Sequence, residues 1–147
     1  MATLLAVKGL LRKELERKRK NASEVAKEVA GNILTYLATE TPVDTTLAIS
    51  NWQVGIGEPI IQAIDPHFEG YHGDTESQSA FQTMAIGQSI LQSKRPGQSI
   101  YISNRAHHIE DLNEDRIKYR IDQQHPNIHF VEDAIAEGRR VLELRRG

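Results

Sequence analysis

Apolar positions recur at helical spacing through the first third of the chain. Val25, Val29, Ile33, Tyr36 and Leu37 fall on one stripe, the pattern of a helix that turns one face to a core. Leu4, Leu5, Val7 and Leu10 carry helical character back to the start, so the spacing predicts helix from about Leu4 to Glu40. Asn21 with Glu24 three residues later has the form of a capping box, which predicts a break near Lys20 and a restart. Pro42 disfavours helical geometry at Thr41 and ends the run. Trp52, Val54 and Ile56 then alternate with Gln53, Gly55 and Gly57, a half-buried strand. From Glu58 to Gly73 no period is sustained, and Pro59, Pro66, Gly70 and Gly73 interrupt the stretch. It reads as a long loop, and loops of this length in compact domains are usually functional or mobile.

A second helix starts at Asp74 or Thr75, with Gln78 completing a box from Thr75. Phe81, Met84, Ala85 and Leu91 form its apolar face, flanked by Ile86 and Ile90. Lys94 and Arg95 suit the negative end of the helix dipole, and Pro96-Gly97 stops the helix. Ser99 to Ser103 is a second strand, ending at Asn104. Ala106 to Asp115 is a short helix or a loop. Arg116 to Ile121 alternates and is either an edge strand with a basic guarding face or a short helix. Past His125-Pro126-Asn127, a last helix carries Phe130, Val131, Ala134, Ile135, Val141 and Leu142. The fold class expected is α+β, a small antiparallel or mixed sheet of few strands packed against three helices. Residues 1–20 form a basic helical extension, and residues 21–147 form a single domain.

Charge changes this picture at one end. The chain of 147 residues carries a formal charge of −2, so it is not a nucleic-acid binder by net charge. Residues 1–20 hold Lys8, Arg12, Lys13, Arg17, Lys18, Arg19 and Lys20 against Glu14 and Glu16, a local balance of +5. The remainder therefore carries −7, and a basic arm on an acidic body suits a subunit with different partners at its two ends. There is no cysteine, which removes disulfides, thiolate zinc sites and cysteine nucleophiles together. No apolar run approaches the roughly 20 residues that span a bilayer. The basic residues follow the first apolar patch instead of preceding it, which argues against a signal peptide. The expectation is a protein acting on the cytoplasmic side or inside an assembly built there.

Candidate chemistry is sparse. His107 and His108 with Glu110 and Asp111 would place His107 and Asp111 on one face if helical, and His125, His129 and Asp133 repeat at four-residue steps. Imidazole–carboxylate sets of this kind bind zinc or manganese in many enzymes; Pro126 weakens the second set. A small metal-dependent nuclease or hydrolase is thus the alternative reading, set against solvated or interfacial histidines. Gly55-x-Gly57 lacks the third glycine of a dinucleotide site and reads as a bulge or strand end. No nucleophile-elbow sequence surrounds any serine, and no cofactor is implied. The cations Arg12, Lys13, Arg17, Lys18, Arg19 and Lys20 are candidate arm contacts, to an acidic neighbour, to solvent, or to DNA phosphates. No aromatic residue lies among them for stacking on bases.

Two stretches carry a resemblance. Thr41-Pro42-Val43-Asp44-Thr45 with Trp52 shortly after resembles the opening signature of the tail-completion or neck family of tailed bacteriophages, a helix ending in Thr-Pro-Val-Asp-Thr-Gly before a strand that starts with Trp. Pro96-Gly97-Gln98-Ser99-Ile100-Tyr101-Ile102-Ser103-Asn104 looks like its second signature, and Phe130 to Ile135 is similar to its closing helix. Thr46 stands where the family commonly has Gly, and Ala106-His107-His108 where Pro-Tyr-Ala is usual. The basic segment Arg116 to Gln124 replaces the family's Gly and Gln-Ala-Pro.

The resemblance implies a non-enzymatic virion protein at the head–tail junction, forming a homo-oligomeric ring. Its neighbours would be portal or adaptor and tail-tube or tail-terminator proteins, with transient contact to genomic DNA in the lumen and none to membrane. In the signature, Asp44 is expected to accept backbone N–H bonds in the turn, Trp52 to bury its ring against the helix, and Asn104 to pair with backbone. Glu58, Asp65 and Glu69 on the loop are expected to meet Arg116, Lys118 and Arg120 of the next copy.

Overall fold

The computed structural model describes residues 4–42, 46–70, 75–114 and 129–146. Helix α1, Leu4–Glu40, is one unbroken run of 37 residues, about 55 Å long at 1.5 Å per residue. The break expected near Lys20 is absent. Glu24 does not turn back to Asn21; its carboxylate accepts from Lys27 Nζ at 3.3 Å, and Arg17 grips Glu14 through two nitrogens at 3.1 and 2.6 Å. Such pairs support a continuing helix, and Asn21 sits in its interior. The last turn closes where Thr41 N donates to Leu37 O at 3.1 Å, with Pro42 next.

A single turn, α2 (Leu47–Ser50), leads to strand β1 (Trp52–Ile56); α3 (Glu76–Gln92), β2 (Ile100–Asn104), α4 (Ile109–Asn113) and α5 (Phe130–Arg146) follow. β1 and β2 pair antiparallel, with Trp52 opposite Asn104 and Ile56 opposite Ile100. The described residues thus make an α+β fold of five helices and a two-stranded antiparallel sheet. The alternating segment Arg116 to Ile121 lies outside the described residues.

Helix α1 is the centre of the packing, and the pairings of Ser23 with Lys94 and Leu34 with Gly87, and of Glu28 with Arg145 and Ile33 with Gly138, run α3 and α5 antiparallel to it. Both approaches are close. A Cβ on Gly87 of α3 would lie 2.1 Å from Leu34 Cδ2, and one on Gly138 of α5 would lie 2.5 Å from Ile33 Cδ1. Two neighbours on different sides rotate the inner face of α1 away from the expected stripe. Ala30, Leu34, Leu37 and Ala38 are buried, whereas Val25, Val29, Ile33 and Tyr36 are only half-buried. Ala30, Leu34 and Leu37 join Trp52, Val54, Leu91 and Phe130 in the main core, and Ala38, Ile49 and Ala80 form a smaller cluster with Met84 against it.

The inner face of α3 also differs from expectation. Its buried residues are Ser79, Ala80, Thr83, Gly87 and Leu91, while Phe81 points outward and is 69% exposed. Small side chains win because they let the helix axes come together, and Thr83 satisfies its hydroxyl on Ile49 O at 3.1 Å. Thr75 makes no side-chain cap; its hydroxyl donates to Phe68 O at 3.0 Å instead. Lys94 lies beyond the last helical residue of α3 and is buried. Its ammonium donates to Ser23 Oγ at 2.7 Å and Arg95 O at 3.2 Å, tying the end of α3 to α1.

Helix α5 takes its cap from a distant residue. Asn113 Oδ1 accepts from Val131 N at 3.0 Å, and Asn113 Nδ2 donates to Glu132 Oε2 at 3.0 Å. One asparagine thereby serves a first-turn N–H that has no partner inside the helix.

Gly87→Ala is expected to lower stability by about 1–3 kcal/mol, the usual effect of overpacking a filled core. Gly9, with nothing within 4 Å of its would-be Cβ, should accept Ala without loss because Ala is the better helix former. Chemical denaturation of the two variants beside the parent protein checks the contrast.

Candidate functional site

The residues of the opening signature converge. Trp52 is buried beside Ala30, Leu34 and Leu37 in the core, and its Nε1 donates to Thr41 Oγ1 at 2.8 Å. The same hydroxyl donates to Leu37 O at 2.5 Å, so the strand start is latched to the last turn of α1 through one oxygen. Pro42 is buried next to it. Asn104 Nδ2 donates to Ala48 O at 2.7 Å while its Oδ1 accepts from Ala106 N at 2.9 Å. Its amide therefore bridges the end of β2 to α2, as its residue type led us to expect. Val43, Asp44 and Thr45 lie outside the described residues.

The described histidines do not converge on a site. Helix α4 begins at Ile109 with His108 at its cap position, so His107 and Asp111 do not share a helical face. No group of three or more His, Asp or Glu able to hold a metal exists among the described residues. The His107 and His108 rings lie 4.7 Å apart and tilted, and His108 Nδ1 is buried without a hydrogen bond. Burial pushes the His108 pKa down, His107 adds to that, and Asp111 opposes it. Burial also lowers His67. Of the second set, His125 lies outside the described residues. His129 sits at φ 60° just before α5 and meets Glu132 at 3.9 Å.

Glu58, Asp65 and Glu69 are exposed on a segment that is tightly pinned despite its lack of period. Asn51 donates to Ile64 O and accepts from Ile64 N, both at 2.9 Å, copying a strand pair with one side chain. Ile60 O accepts from Ser103 Oγ at 3.0 Å and Arg105 Nε at 3.1 Å, and Phe68 O accepts from Thr46 Oγ1 at 2.6 Å. Gly57, at φ +83°, ends β1 before this segment. Arg116, Lys118 and Arg120 lie outside the described residues.

Every described side chain from Ala6 to Lys20 is exposed, including Arg12, Lys13, Arg17, Lys18, Arg19 and Lys20. The hydrogen bond between Arg17 and Glu14 lowers the Glu14 pKa and raises that of Arg17. On the body the described residues line an apolar groove of about 990 Å³. Its floor is the half-buried stripe of α1, Val25, Val29 and Ile33 among it; Ile100 and Ile102 of β2 form one wall, and Ile135 and Leu142 of α5 the other. Residue periodicity marked the floor, but the walls come from elements far away in sequence.

No protein-family model matches the chain, and no curated protein or solved structure is significantly similar to it.

Thr41→Val is expected to cost about 1–3 kcal/mol, because it leaves the buried Trp52 N–H without an acceptor; urea unfolding followed by Trp fluorescence measures it. A pH dependence follows from His108 and His67. Their folded-state pKa values lie below the unfolded ones, near about 6.5, so the unfolded chain takes up protons first as pH falls through that value. Stability should therefore drop on acidification and stop dropping below the folded-state values. Thermal melts across this range should show a shallower fall for His108→Gln than for the parent protein.

Proposed function

We propose that this chain is a non-enzymatic structural protein of a tailed bacteriophage, one subunit of a neck or tail-completion ring that joins the capsid portal to the tail. The observation that carries the reading is the Thr41–Trp52–Leu37 latch together with the Asn104 bridge. Thr41, Trp52 and Asn104 of the residues that resemble the family's signature hold elements together, and each spends side-chain polar atoms on protein partners. The chain order of helix, strand, helix, strand, helix fits the same resemblance, with a basic N-terminal helical segment ahead of one α+β domain.

The mechanism is geometric. Identical subunits meet through a heterologous contact, one surface against a different surface on the next copy, and repetition closes a ring. No bond is made or broken. Glu58, Asp65 and Glu69 offer an exposed acidic face on a pinned segment, suited to a cationic neighbour. The partners are further copies of the chain and adjoining portal, adaptor, tail-tube or terminator proteins, with the basic segment near DNA or an acidic ring. Its place is the virion, after assembly in the host cytoplasm. No helix among the described residues is long and apolar enough to cross a membrane.

An early stop codon in the gene within its parent phage should leave DNA-filled heads apart from finished tails, or heads that leak DNA, by negative-stain microscopy of the lysate. Normal infectious virions would overturn the reading.

A further inference from the structure

We infer that the apolar groove between β2 and α5 takes an extended segment of a partner protein, added as a strand to the free edge of β2. The segment carries apolar side chains at alternate positions and a carboxylate at one end. A single copy of the chain suffices for this, so the site goes beyond the junction role. The phase of the ladder leaves one edge of β2 open. Gly57 N donates to Ser99 O at 2.8 Å, in register with Gly55 opposite Tyr101 and Gln53 opposite Ser103. Bonded positions alternate in an antiparallel pair, so Ile100 and Ile102, which lie between them, turn their backbone N–H and C=O away from β1. No hydrogen bond from another described residue meets those groups. This edge faces the groove, because β1 holds the opposite edge and the groove lies between β2 and α5. An unpaired edge is a template for a further strand.

The lining selects the side chains. Val29 and Ile33 on the floor, Ile100 and Ile102 on one wall and Ile135 and Leu142 on the other are apolar, and a strand turns every second side chain to one face. Three cations also line the groove, Arg19, Lys94 and Arg145, and no carboxylate does. Arg145 is paired with Glu28 at 2.8 Å. Lys94 is 7% exposed and gives its ammonium to two neutral oxygens, Ser23 Oγ at 2.7 Å and Arg95 O at 3.2 Å. An ammonium has three donors, and burial without a carboxylate leaves its charge uncompensated. Arg19, exposed, lies one turn before Ser23 on α1, so both cations stand at one end of the groove. A carboxylate at that end of the occupant answers both. Residues 1–20 of a second copy, at +5, would bring cations to cations. An acyl chain with an anionic head would fill the groove but leave the β2 edge unbonded.

Panning a random octapeptide library, in mRNA display, on the purified protein lets the groove choose its ligand. The expected peptides have apolar residues at every second position and Asp or Glu at one end. A synthetic copy of the enriched sequence should slow hydrogen exchange at the Ile100 and Ile102 amides. Arg19→Glu should weaken its binding up to about fivefold, the range of an exposed ion pair, and Ile135→Asp should abolish it. Both side chains are exposed in the single chain, so the melting temperatures of these variants should hold. No enrichment, apolar residues at helical spacing, or peptides without a carboxylate overturn the proposal. Ile100 and Ile102 amides already protected before peptide is added overturn it too. Such protection assigns the groove to residues 115–128 of the same chain if it ignores protein concentration, and to a second copy if it rises with concentration. Sodium oleate bound one to one by a protein that selects no peptide assigns the groove to an amphiphile instead. None of these outcomes bears on the stop-codon experiment, so the junction role stands or falls separately.

Discussion

Two helices come as near to α1 as the missing side chains of Gly87 and Gly138 allow, and the rest of the fold hangs on that spacing. At Gly87 the volume a Cβ would take is held by Leu34 and Val54, both buried and both part of the main core. At Gly138 it is held by Ile33 and, a little farther off, Val29. Close packing here brings β1 within reach of the last turn of α1, where Trp52 finds Thr41. It also leaves α5 and β2 standing as separate walls above one stripe of α1, and the gap between them is the groove.

With two strands among the described residues, the sheet leaves much backbone to be satisfied by other means. Side chains do this work. Asn51 pairs with Ile64, Ser50 with His67 N, Thr46 with Phe68 O, Asn104 with Ala48 and Ala106, and Asn113 with the first turn of α5. Each replaces a bond that a longer sheet or a local cap would supply, and a buried backbone group left without one is costly. Glu58, Asp65 and Glu69 are therefore presented from a pinned backbone, a property that favours recognition because less order remains to be imposed on binding.

Much of the secondary structure was legible in the residue pattern. Helix α1, both strands and the last helix all rest on short-range signals, a 3.6 or 2.0 period or a Pro that ends it, whereas α3 stops at Gln92, before the expected last turn with Lys94 and Arg95. The burial of Trp52 and the backbone-binding role of Asn104 were legible for a similar reason, since a large ring and a paired amide have few favourable placements. The capping signals were the weak part. Asn21 and Thr75 both have the right neighbours for a box, and neither forms one.

What the sequence by itself determined, then, is which segments are helical or extended, because those preferences act over a few residues. Tertiary structure alone decided which face of each helix turns inward. It put Thr83, Ser79 and Gly87 inside and Phe81 outside, because the distance to α1 left room only for small side chains. It kept His107, His108 and Asp111 from converging, and buried the Lys94 ammonium on Ser23. It also made Val25, Val29 and Ile33 a groove floor where α5 and β2 flank α1, and left Val7, Leu10, Leu11 and Leu15 bare where they do not. That division depends on where distant elements end, which no local pattern encodes.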